Sequence, residues 1–377
     1  MMSIHILHLH SSFDLGGKEA RSVRLMNEFG DRARHTIVSS DSDRLGARDA
    51  IAAGVKYEIA QDPPILTGHP SVRRYESIAR FMRRFDLVLS YNWGAIDGAM
   101  AARVFGKGVP PLIHHEDELD ASESARLNPV RNTYRKIALK AANGLVVSSR
   151  MLESIGYHQW GVPMDRLRYV PNGVATRAFA RKPDPAALPM LNRKPGEVVI
   201  GTVAGLREVK DLPMLVHAVA GMNTRMKLVI VGEGPERGAI QTAIEAMGLD
   251  GKVILTGFVP DPHRYLGLFD IFALSSKSAQ APLAVLEAMA AGLPIVAPAI
   301  GDIATMVSDL NQVYLVQDRN AVGIRDRIEI LAQHPHERER VGKANQSRAQ
   351  ALFDEAGMIR SYAEIYSRAV GRPGILG

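Results

Sequence analysis

The sequence predicts an α/β protein of two domains, each with a parallel sheet covered by helices. Along most of the chain, short apolar runs typical of buried strands alternate with segments that have a helical period. A length of 377 residues also exceeds what one hydrophobic core usually organises. We therefore expect two domains of similar α/β construction.

The first half begins with a buried strand over residues 4–9, followed by the loop that contains Gly16-Gly17. Val23, Met26 and Phe29 then give the next segment a helical period, so the order is strand, glycine loop and helix. The sequence lacks G-x-G-x-x-G here, which argues against a dinucleotide oxidoreductase. Further strands are expected at residues 35–39, 87–90, 112–115 and 145–148.

The second half is separated from the first by an irregular, proline-rich segment. Residues 182–196 contain four prolines and no period, which is typical of a linker. Strands are then expected at residues 198–203, 227–231, 252–256, 271–275 and 294–297, and helices at 211–222 and 237–247. The predicted domains are residues 1–180 and 197–355, with 181–196 as the linker.

Residues 275–298, SSKSAQAPLAVLEAMAAGLPIVAP, are predicted to form a polar loop, a short helix and a buried strand. Leu283, Leu286 and Met289 have helical spacing, and Gly292 with Pro294 would end the helix. A loop that enters a helix N-terminus leaves backbone N–H groups free for an anion such as phosphate. The helix contains one acid, Glu287, which by itself could equally be a solvated surface residue.

Polar loops follow several of the other predicted strands. Residues 91–94 and the acidic loop 114–120 follow strands of the first half, where ligands of parallel sheets gather. The loop 114–120 contains histidines and acids, but one short segment is an improbable metal site. In the second half, Arg207 and Lys210 could hold a diphosphate, and Gly232 begins a tight turn.

The charge and composition narrow the class of protein. The chain has no cysteine and no apolar run near ~20 residues, so we expect a cytoplasmic protein. The positive charge is concentrated before residue 178, where 24 Lys/Arg face 19 Asp/Glu, against 22 and 21 afterwards. This basic half could contact an anionic membrane peripherally or a phosphorylated acceptor. Nucleic acid is disfavoured because the basic residues are not interleaved with aromatic ones.

Taken together and in order, these motifs resemble the retaining glycosyltransferases of family 4, also called group 1. The motifs that carry the resemblance span nearly the whole chain: Gly16-Gly17-Lys18-Glu19, Pro171-Asn172-Gly173-Val174, Arg207 with Lys210, Gly232-Glu233-Gly234-Pro235, residues 254–258 and residues 281–294. The resemblance implies the GT-B fold, in which two Rossmann-like domains face each other. It also implies that a C-terminal helix, residues 356–377, crosses back to the first domain.

The resemblance implies a role for each matching residue. Glu287 would accept hydrogen bonds from the donor ribose, while Arg207 and Lys210 would hold the donor diphosphate without a metal ion. The further implied contacts are Gly16, Gly17, Gly232, Gln280, Ala281, Pro282 and Leu283 for the donor, and Asn92, Glu116 and Asn172 for the acceptor. No cofactor is implied, because the UDP- or GDP-linked sugar is a substrate.

The sequence departs from the family pattern at position 279. The family has a glutamate eight residues before the one matched by Glu287, and this chain has Ala279 there. Alanine has no group that can hold charge beside the transferred sugar. Either the natural protein lacks this acid or the chain is an inactivated variant, and the intact flanking pattern favours the second alternative.

A second departure concerns the histidine that the family places near the anomeric carbon. The register of residues 113–120 allows either His115 or Asp117 at this position. Asp117 is favoured, with His115 nearby, and both remain candidates.

The expected activity is transfer of a sugar from a nucleotide sugar to a hydroxyl of a glycan or lipid-linked acceptor, with retention of configuration. A catalytically idle nucleotide-sugar binding protein and a nucleotide-sugar 2-epimerase are the alternatives. The first follows directly from Ala279, and the second shares the two-domain architecture.

Overall fold

The computed structural model describes residues 3–14, 16–119, 123 and 126–377. The chain forms two units, Met1–Pro171 with Met358–Gly377, and Asn172–Gly357. None of the helices in the described residues is long and apolar enough to cross a lipid bilayer.

The strands form one parallel sheet in each unit. Their bounds are β1 Ile4–His10, β2 Ala33–Ser39, β3 Lys56–Ile59, β4 Leu87–Tyr91, β5 Leu112–Glu116, β6 Gly144–Val147, β7 Leu167–Tyr169, β8 Val198–Val203, β9 Met226–Val231, β10 Val253–Gly257, β11 Ile271–Ala273, β12 Ile295–Pro298 and β13 Leu315–Val316. The sheet orders are β3-β2-β1-β4-β5-β6-β7 and β10-β9-β8-β11-β12-β13. In each sheet the order reverses once, at β1/β4 and at β8/β11, and ligands of such sheets bind beyond the strand ends at these points.

The helices connect the strands and cover the sheets. Their bounds are α1 Gly17–Phe29, α2 Val72–Met82, α3 Asp97–Phe105, α4 Pro129–Ala138, α5 Arg150–His158, α6 Thr176–Phe179, α7 Leu212–Ala220, α8 Arg237–Ala246, α9 Leu283–Ala290, α10 Ile303–Met306, α11 Ala321–Gln333, α12 Pro335–Leu352 and α13 Glu355–Ala369. Because β-α-β connections between parallel strands are right-handed, α2, α3 and α4 share one face of the first sheet and α1 lies on the other.

The C-terminal helix belongs to the first unit, as the sequence predicted. Ile359, Tyr362 and Tyr366 of α13 are buried in the same core cluster as Ile4 of β1 and Phe29 of α1. Burying this apolar face of α13 removes large side chains from water, which stabilises the return of the chain to the first sheet.

The structure does not show the predicted linker, residues 181–196, as a separate connection. Residues 172–196 belong to the second unit, so the first unit ends at Pro171 and not at residue 180. Phe179 and Leu188 are buried in the core of the second unit, and Asp184 forms an ion pair with Arg264. The prolines therefore shape an irregular but packed segment rather than a free connection.

Candidate functional site

The second unit brings together the glycine loops that follow β8 and β9. The Leu206 amide donates to the Glu233 carbonyl at 2.9 Å, and the Glu236 amide donates to the Leu206 carbonyl at 3.0 Å. Gly232 has a φ of 141°, and a Cβ there would lie 1.9 Å from the Ala204 carbonyl oxygen. Only glycine permits this close approach of the two loops.

The loop of residues 275–282 is fixed on both sides. Ser275 Oγ donates to the Lys210 carbonyl at 2.9 Å, and the Lys277 amide donates to the Val209 carbonyl at 2.8 Å. On the other side, the Asp302 amide donates to the Gln280 carbonyl at 2.8 Å. The loop is thereby held next to the cationic segment that contains Arg207 and Lys210.

The N-terminus of α9 lacks a side-chain cap within the described part of the chain. Pro282 occupies the position before Leu283, and its carbonyl accepts from the amides of Val285 and Leu286. Gln280, Ala281, Pro282 and Leu283 are all half-buried. The first amides of α9 thus favour a negatively charged group, because they combine free N–H donors with the positive end of the helix dipole.

Glu287 lies one turn into α9 and is half-buried. No described side chain donates a hydrogen bond to its carboxylate, and burial raises its pKa to about 7. An acid with neither a cation nor a hydrogen-bond donor nearby is held at a cost, since desolvation disfavours the charged form. Hydroxyl groups of a bound ligand would supply the missing donors.

The two candidate diphosphate ligands, Arg207 and Lys210, differ in their surroundings. Arg207 follows β8 and its side chain is exposed, whereas Lys210 is half-buried and its own carbonyl is bound by Ser275. Both occupy the segment between β8 and α7, beyond the β8/β11 reversal. An exposed guanidinium here is available for a diphosphate.

Position 279 lies on the same fixed loop. Ala279 is half-buried, and its carbonyl oxygen would be 1.8 Å from a Cβ at Gly301, whose φ is 53°. Asn172, at the start of this unit, donates from Nδ2 to the Ala281 carbonyl at 3.2 Å. Asn172 thus contacts the loop before α9 in its own unit, and its predicted acceptor contact stays a prediction.

In the first unit, Asp117 forms a bidentate ion pair with Arg21. The distances are 2.5 Å from Nη1 to Oδ1 and 2.7 Å from Nη2 to Oδ2. Burial favours a raised pKa for Asp117, but the Arg21 charge and its hydrogen bonds outweigh burial and hold the pKa below its ordinary value. The Asp117 carboxylate is therefore ionised and oriented.

Residues around Asp117 hold this pair from both sides. The Asn92 side chain accepts from the Asp117 amide at 2.8 Å, and Asn92 has a φ of 53°, which is uncommon outside glycine. The Arg21 guanidinium lies 5.3 Å from the centre of the Tyr362 ring of α13. Asn92 is thus placed to orient the loop after β5, and its predicted acceptor contact stays a prediction.

His115 does not reach the surface. Its Nδ1 lies 3.2 Å from the Ser90 carbonyl oxygen, its Nε2 lies 2.8 Å from the Tyr366 hydroxyl, and its ring stacks on Tyr91 at 4.6 Å. Burial, with the Arg21 charge, lowers its pKa to about 3. The alternative that placed His115 at the sugar is contradicted, because both ring nitrogens bond inside the protein.

Glu116 is also internal. Its Oε1 accepts from Arg135 at 3.0 Å, its Oε2 lies 3.0 Å from His114 Nε2, and the residue is 0% exposed. This contradicts the prediction of an acceptor contact at Glu116. The end of the acidic loop, Asp120, lies outside the described residues.

The glycine pair begins α1 rather than forming a free loop. Gly16 is in extended backbone conformation before the helix, Gly17 is its first residue, and both are exposed. Nearby, His10 at the end of β1 is buried without a hydrogen-bond partner for either ring nitrogen among the described residues. Among those residues, no group of three His, Asp or Glu side chains is arranged to hold a metal ion.

Two family models account for most of the chain. Residues 15–178 match the model described as Glycosyltransferase Family 4, and residues 187–348 match the model described as Glycosyl transferases group 1. The chain belongs to this group 1/family 4 of glycosyltransferases.

The chain is also similar to individual glycosyltransferases. It is 24% identical over 393 residues to D-inositol 3-phosphate glycosyltransferase of Kribbella flavida, covering 93% of this chain and 91% of that protein. It is 26% identical over 203 residues to EpsF of Bacillus subtilis, covering 52% of this chain and 53% of EpsF. The matched region thus spans about half the length of EpsF.

Solved structures of other proteins share this fold. HepE from Anabaena, solved in complex with UDP and glucose, superposes with a TM-score of 0.78 at 19% identity, over 97% of this chain and 100% of that chain. The glycosyltransferase described here therefore has the GT-B fold, with a parallel α/β sheet in each unit.

Arg21 and Tyr362 are the neighbours of the site that sequence reasoning missed. Arg21 lies on α1 four residues after Gly17, and its side chain is only 5% exposed. A single arginine on a helix gives no sequence signal of burial, and its partner is 96 residues away. Tyr362 lies at a predicted apolar position of α13, but the pattern alone did not connect it to the loop after β5.

Proposed function

We propose that this glycosyltransferase transfers a hexose or related sugar from a nucleotide sugar to a hydroxyl group of a glycan or lipid-linked acceptor, with retention of configuration and without a metal ion. The observation that carries the proposal is the half-buried carboxylate of Glu287, which has no side-chain partner among the described residues and whose pKa burial raises to about 7. A carboxylate kept in this state is suited to accept two adjacent hydroxyl donors, which is what a ribose offers.

The donor would occupy the second unit. Glu287 would accept from the ribose hydroxyls, the first amides of α9 would face the diphosphate, and Arg207 with Lys210 would neutralise it. The solved structures of HepE hold UDP and UDP-glucose, which supports a UDP-linked donor here, with GDP as the other candidate.

In the transition state of sugar transfer, positive charge develops on the sugar and negative charge on the departing diphosphate. Fixed cations and backbone N–H groups stabilise such a leaving group without reorganising during the reaction. We propose that Arg207, Lys210 and the loop before α9 supply this stabilisation, so that no metal ion is required. The first unit would bind the acceptor, with Asp117 as its oriented carboxylate.

We propose that the absence of an acid at position 279 lowers the rate of sugar transfer. Ala279 is half-buried on a loop held by Gln280 and Ser275, so the loop is in place while the family's acid is absent. Without that carboxylate the developing positive charge of the sugar has less stabilisation from this loop. We therefore expect donor binding to be intact and turnover to be low.

The decisive experiment is a titration of the purified protein with UDP, GDP, ADP and dTDP by calorimetry. We expect binding of one uridine or guanosine diphosphate, weakened about 10- to 100-fold in Glu287→Gln, with Glu245→Gln on the exposed face of α8 as the matched control. If none of these nucleotides or their sugars binds, the proposal is wrong. Product configuration by proton NMR and activity in a chelator would test retention and metal independence.

Ala279 specifically favours one other function, a nucleotide-sugar binding protein without turnover. The variant Ala279→Glu separates the two. An increase in turnover at unchanged donor affinity would support the transferase, because only transition-state charge gains from the new acid. Binding with no turnover in either form, across glycan and lipid-linked acceptors, would support the binding protein.

A further inference from the structure

The layer formed by α2, α3 and α4 on the first sheet is strongly basic. Together these three helices carry seven Lys or Arg residues and two acids, Glu76 and Asp97. Arg135 and Asp97 are buried, and Arg74 is paired with Asp97, so the outer face keeps five of the seven basic residues against one exposed acid, Glu76. The outer face of the layer therefore has a positive potential that the rest of the chain does not balance.

The three helices are tied together through Asp97 of α3. Its carboxylate accepts from Arg74 of α2 at 2.5 Å and from the hydroxyl of Tyr134 of α4. Tyr134 also bonds to the Tyr75 hydroxyl at 2.7 Å. Buried hydrogen bonds between all three helices make the layer a single rigid face.

Large aliphatic side chains are exposed on the same layer and beside it. Val72 begins α2, Val104 lies on α3, and both are more than half exposed, at 69% and 52%. On α4, Val130 is 78% exposed, and Ile137 follows two turns later at 46%. Exposed aliphatic residues between arginines and lysines are typical of helices that lie in the headgroup region of a membrane.

A groove of about 750 Å³ runs along α2 in this face. Arg73, Ser77, Arg80 and Arg84 recur at spacings of three and four and form one wall. The other wall is the loop after β3, where Ile65 is 72% exposed and Asp62 is the one acid. The groove thus pairs arginines with an aliphatic wall.

The arginines of the groove are available to a ligand. Arg80 pairs with Glu76 only on the exposed surface, where such a pair contributes little. In the described part of the chain, no acid lies within ion-pair distance of Arg73 or Arg84, and Arg84 is positioned over the Phe81 ring at 5.0 Å. An amphiphilic phosphate would meet both the charge and the apolar surface of this groove.

We propose that the outer face of α2, α3 and α4 docks on the surface of an anionic lipid bilayer, with the α2 groove receiving a phosphate headgroup. Nucleic acid fits this face less well, because its exposed apolar residues are aliphatic and offer no stacking surface for bases. The inference does not rest on the donor site, since membrane binding is measured without a nucleotide sugar.

The test is sedimentation with vesicles of phosphatidylcholine alone or with roughly 30% phosphatidylglycerol. The groove variant is Arg73→Gln/Arg80→Gln/Arg84→Gln. The matched control, on exposed positions of α11 and α12, is Arg327→Gln/Arg340→Gln/Lys343→Gln. Each triple variant lowers the net charge from +6 to +3. We expect the wild type and the control to bind anionic vesicles, and the groove variant to bind at least about tenfold more weakly.

Further vesicle-binding measurements separate the contribution of charge from that of the exposed aliphatic side chains. The variant Ile65→Ser/Val72→Ser keeps every charge and should weaken vesicle binding several-fold at high salt, where screening leaves the apolar contribution. Equal binding to neutral and anionic vesicles, an equal loss in the control variant, or displacement by millimolar inorganic phosphate would overturn the proposal. Binding of duplex DNA with the same loss in the groove variant would also overturn it.

Discussion

Asp117 in the first unit and Glu287 in the second are carboxylates in opposite states. Asp117 is held by two hydrogen bonds from Arg21, and its pKa lies below the ordinary value. Glu287 has no donor among the described side chains, and burial raises its pKa to about 7. Both lie near the C-terminal ends of parallel strands or in the helix that follows, so topology does not distinguish them.

The fold itself supplies a cationic partner for Asp117, whereas the described side chains supply no hydrogen-bond donor for Glu287. A buried carboxylate with its own arginine is satisfied without a ligand, whereas one without donors gains from any ligand that brings hydroxyl groups. Glu287 therefore supports the proposed donor site more directly than Asp117 supports an acceptor site. The contrast also indicates that Asp117 acts as a fixed anion, since its proton affinity is too low for general-base work near neutral pH.

The largest effect should come from removing the partner of Asp117. Arg21→Met leaves a buried carboxylate without compensation, so we expect a loss of about 3–5 kcal/mol in the free energy of unfolding. Urea unfolding monitored by circular dichroism measures it. The neighbouring Arg24→Met, whose ion pair with Glu28 is exposed, should cost less than about 1 kcal/mol.

The double variant Arg21→Met/Asp117→Asn completes this experiment. Removing both charges should restore much of the lost stability, because the penalty comes from the unpaired carboxylate. If the double variant were as unstable as Arg21→Met, the guanidinium would stabilise the unit through its packing on Tyr362 instead.

The second effect concerns Glu287 and should appear in binding rather than in stability. Glu287→Gln should weaken nucleoside diphosphate binding about 10- to 100-fold, the loss of charge-assisted hydrogen bonds. The free energy of unfolding of the unliganded protein should stay the same or rise at neutral pH, since the variant removes an unsatisfied charge. A clear loss of stability would show that the carboxylate already has a partner.

The pH dependence of the same site follows from its raised pKa. Below about pH 7 Glu287 is protonated, so donor affinity should fall by up to about tenfold for each pH unit, and Glu287→Gln should abolish this dependence. Between the ordinary value of 4.5 and 7, the folded state holds a proton that the unfolded state has lost. Its contribution to the free energy of unfolding therefore decreases as pH rises through this window.

The strands could be predicted from the sequence wherever they form a local apolar run of sufficient length. All ten predicted strands are present, and their bounds differ from prediction by at most two residues. The three strands that were missed, β3, β7 and β13, have two to four residues, too few for a period to show. The linker was misjudged because prolines disrupt a pattern whether or not the segment is packed, and only the structure shows Leu188 in the core.

The candidate residues of the donor site could be named from sequence motifs, but their charge states and partners could not. Glu287, Arg207 and Lys210 came from ordered motifs, which sequence preserves. Glu116 and His115 were misassigned because a strand end resembles a loop in sequence, and their partners, Arg135 and Tyr366, come from distant helices. Asp117 was favoured over His115 by register alone, and its ion pair with Arg21 could not be foreseen from either residue.

A third effect concerns the acid stability of the first unit, through a buried histidine at the end of β1. His10 is buried, neither of its ring nitrogens has a hydrogen-bond partner among the described residues, and its pKa is lowered well below 6.5 by burial and by the Lys18 charge. In the unfolded chain this histidine takes up a proton below about pH 6.5, so the free energy of unfolding falls as the pH decreases. His10→Phe should raise stability by about 1–2 kcal/mol at pH 7 and reduce the acid loss in thermal unfolding at pH 5 and 7. A destabilised variant would mean that His10 has a water-bonded role.

The smallest effect tests whether α13 supports the oriented carboxylate through His115. The Tyr366 hydroxyl bonds to His115 Nε2 at 2.8 Å in the buried core, and His115 in turn precedes Asp117 by two residues. Tyr366→Phe keeps the ring and removes this bond, so we expect a loss of about 0.5–1.5 kcal/mol in the free energy of unfolding. Tyr157→Phe, on an exposed tyrosine of α5, should change it by less than about 0.5 kcal/mol. Nucleotide affinity should be unchanged in Tyr366→Phe, because Glu287 lies in the other unit, and a parallel loss of affinity would show that the two carboxylates are coupled.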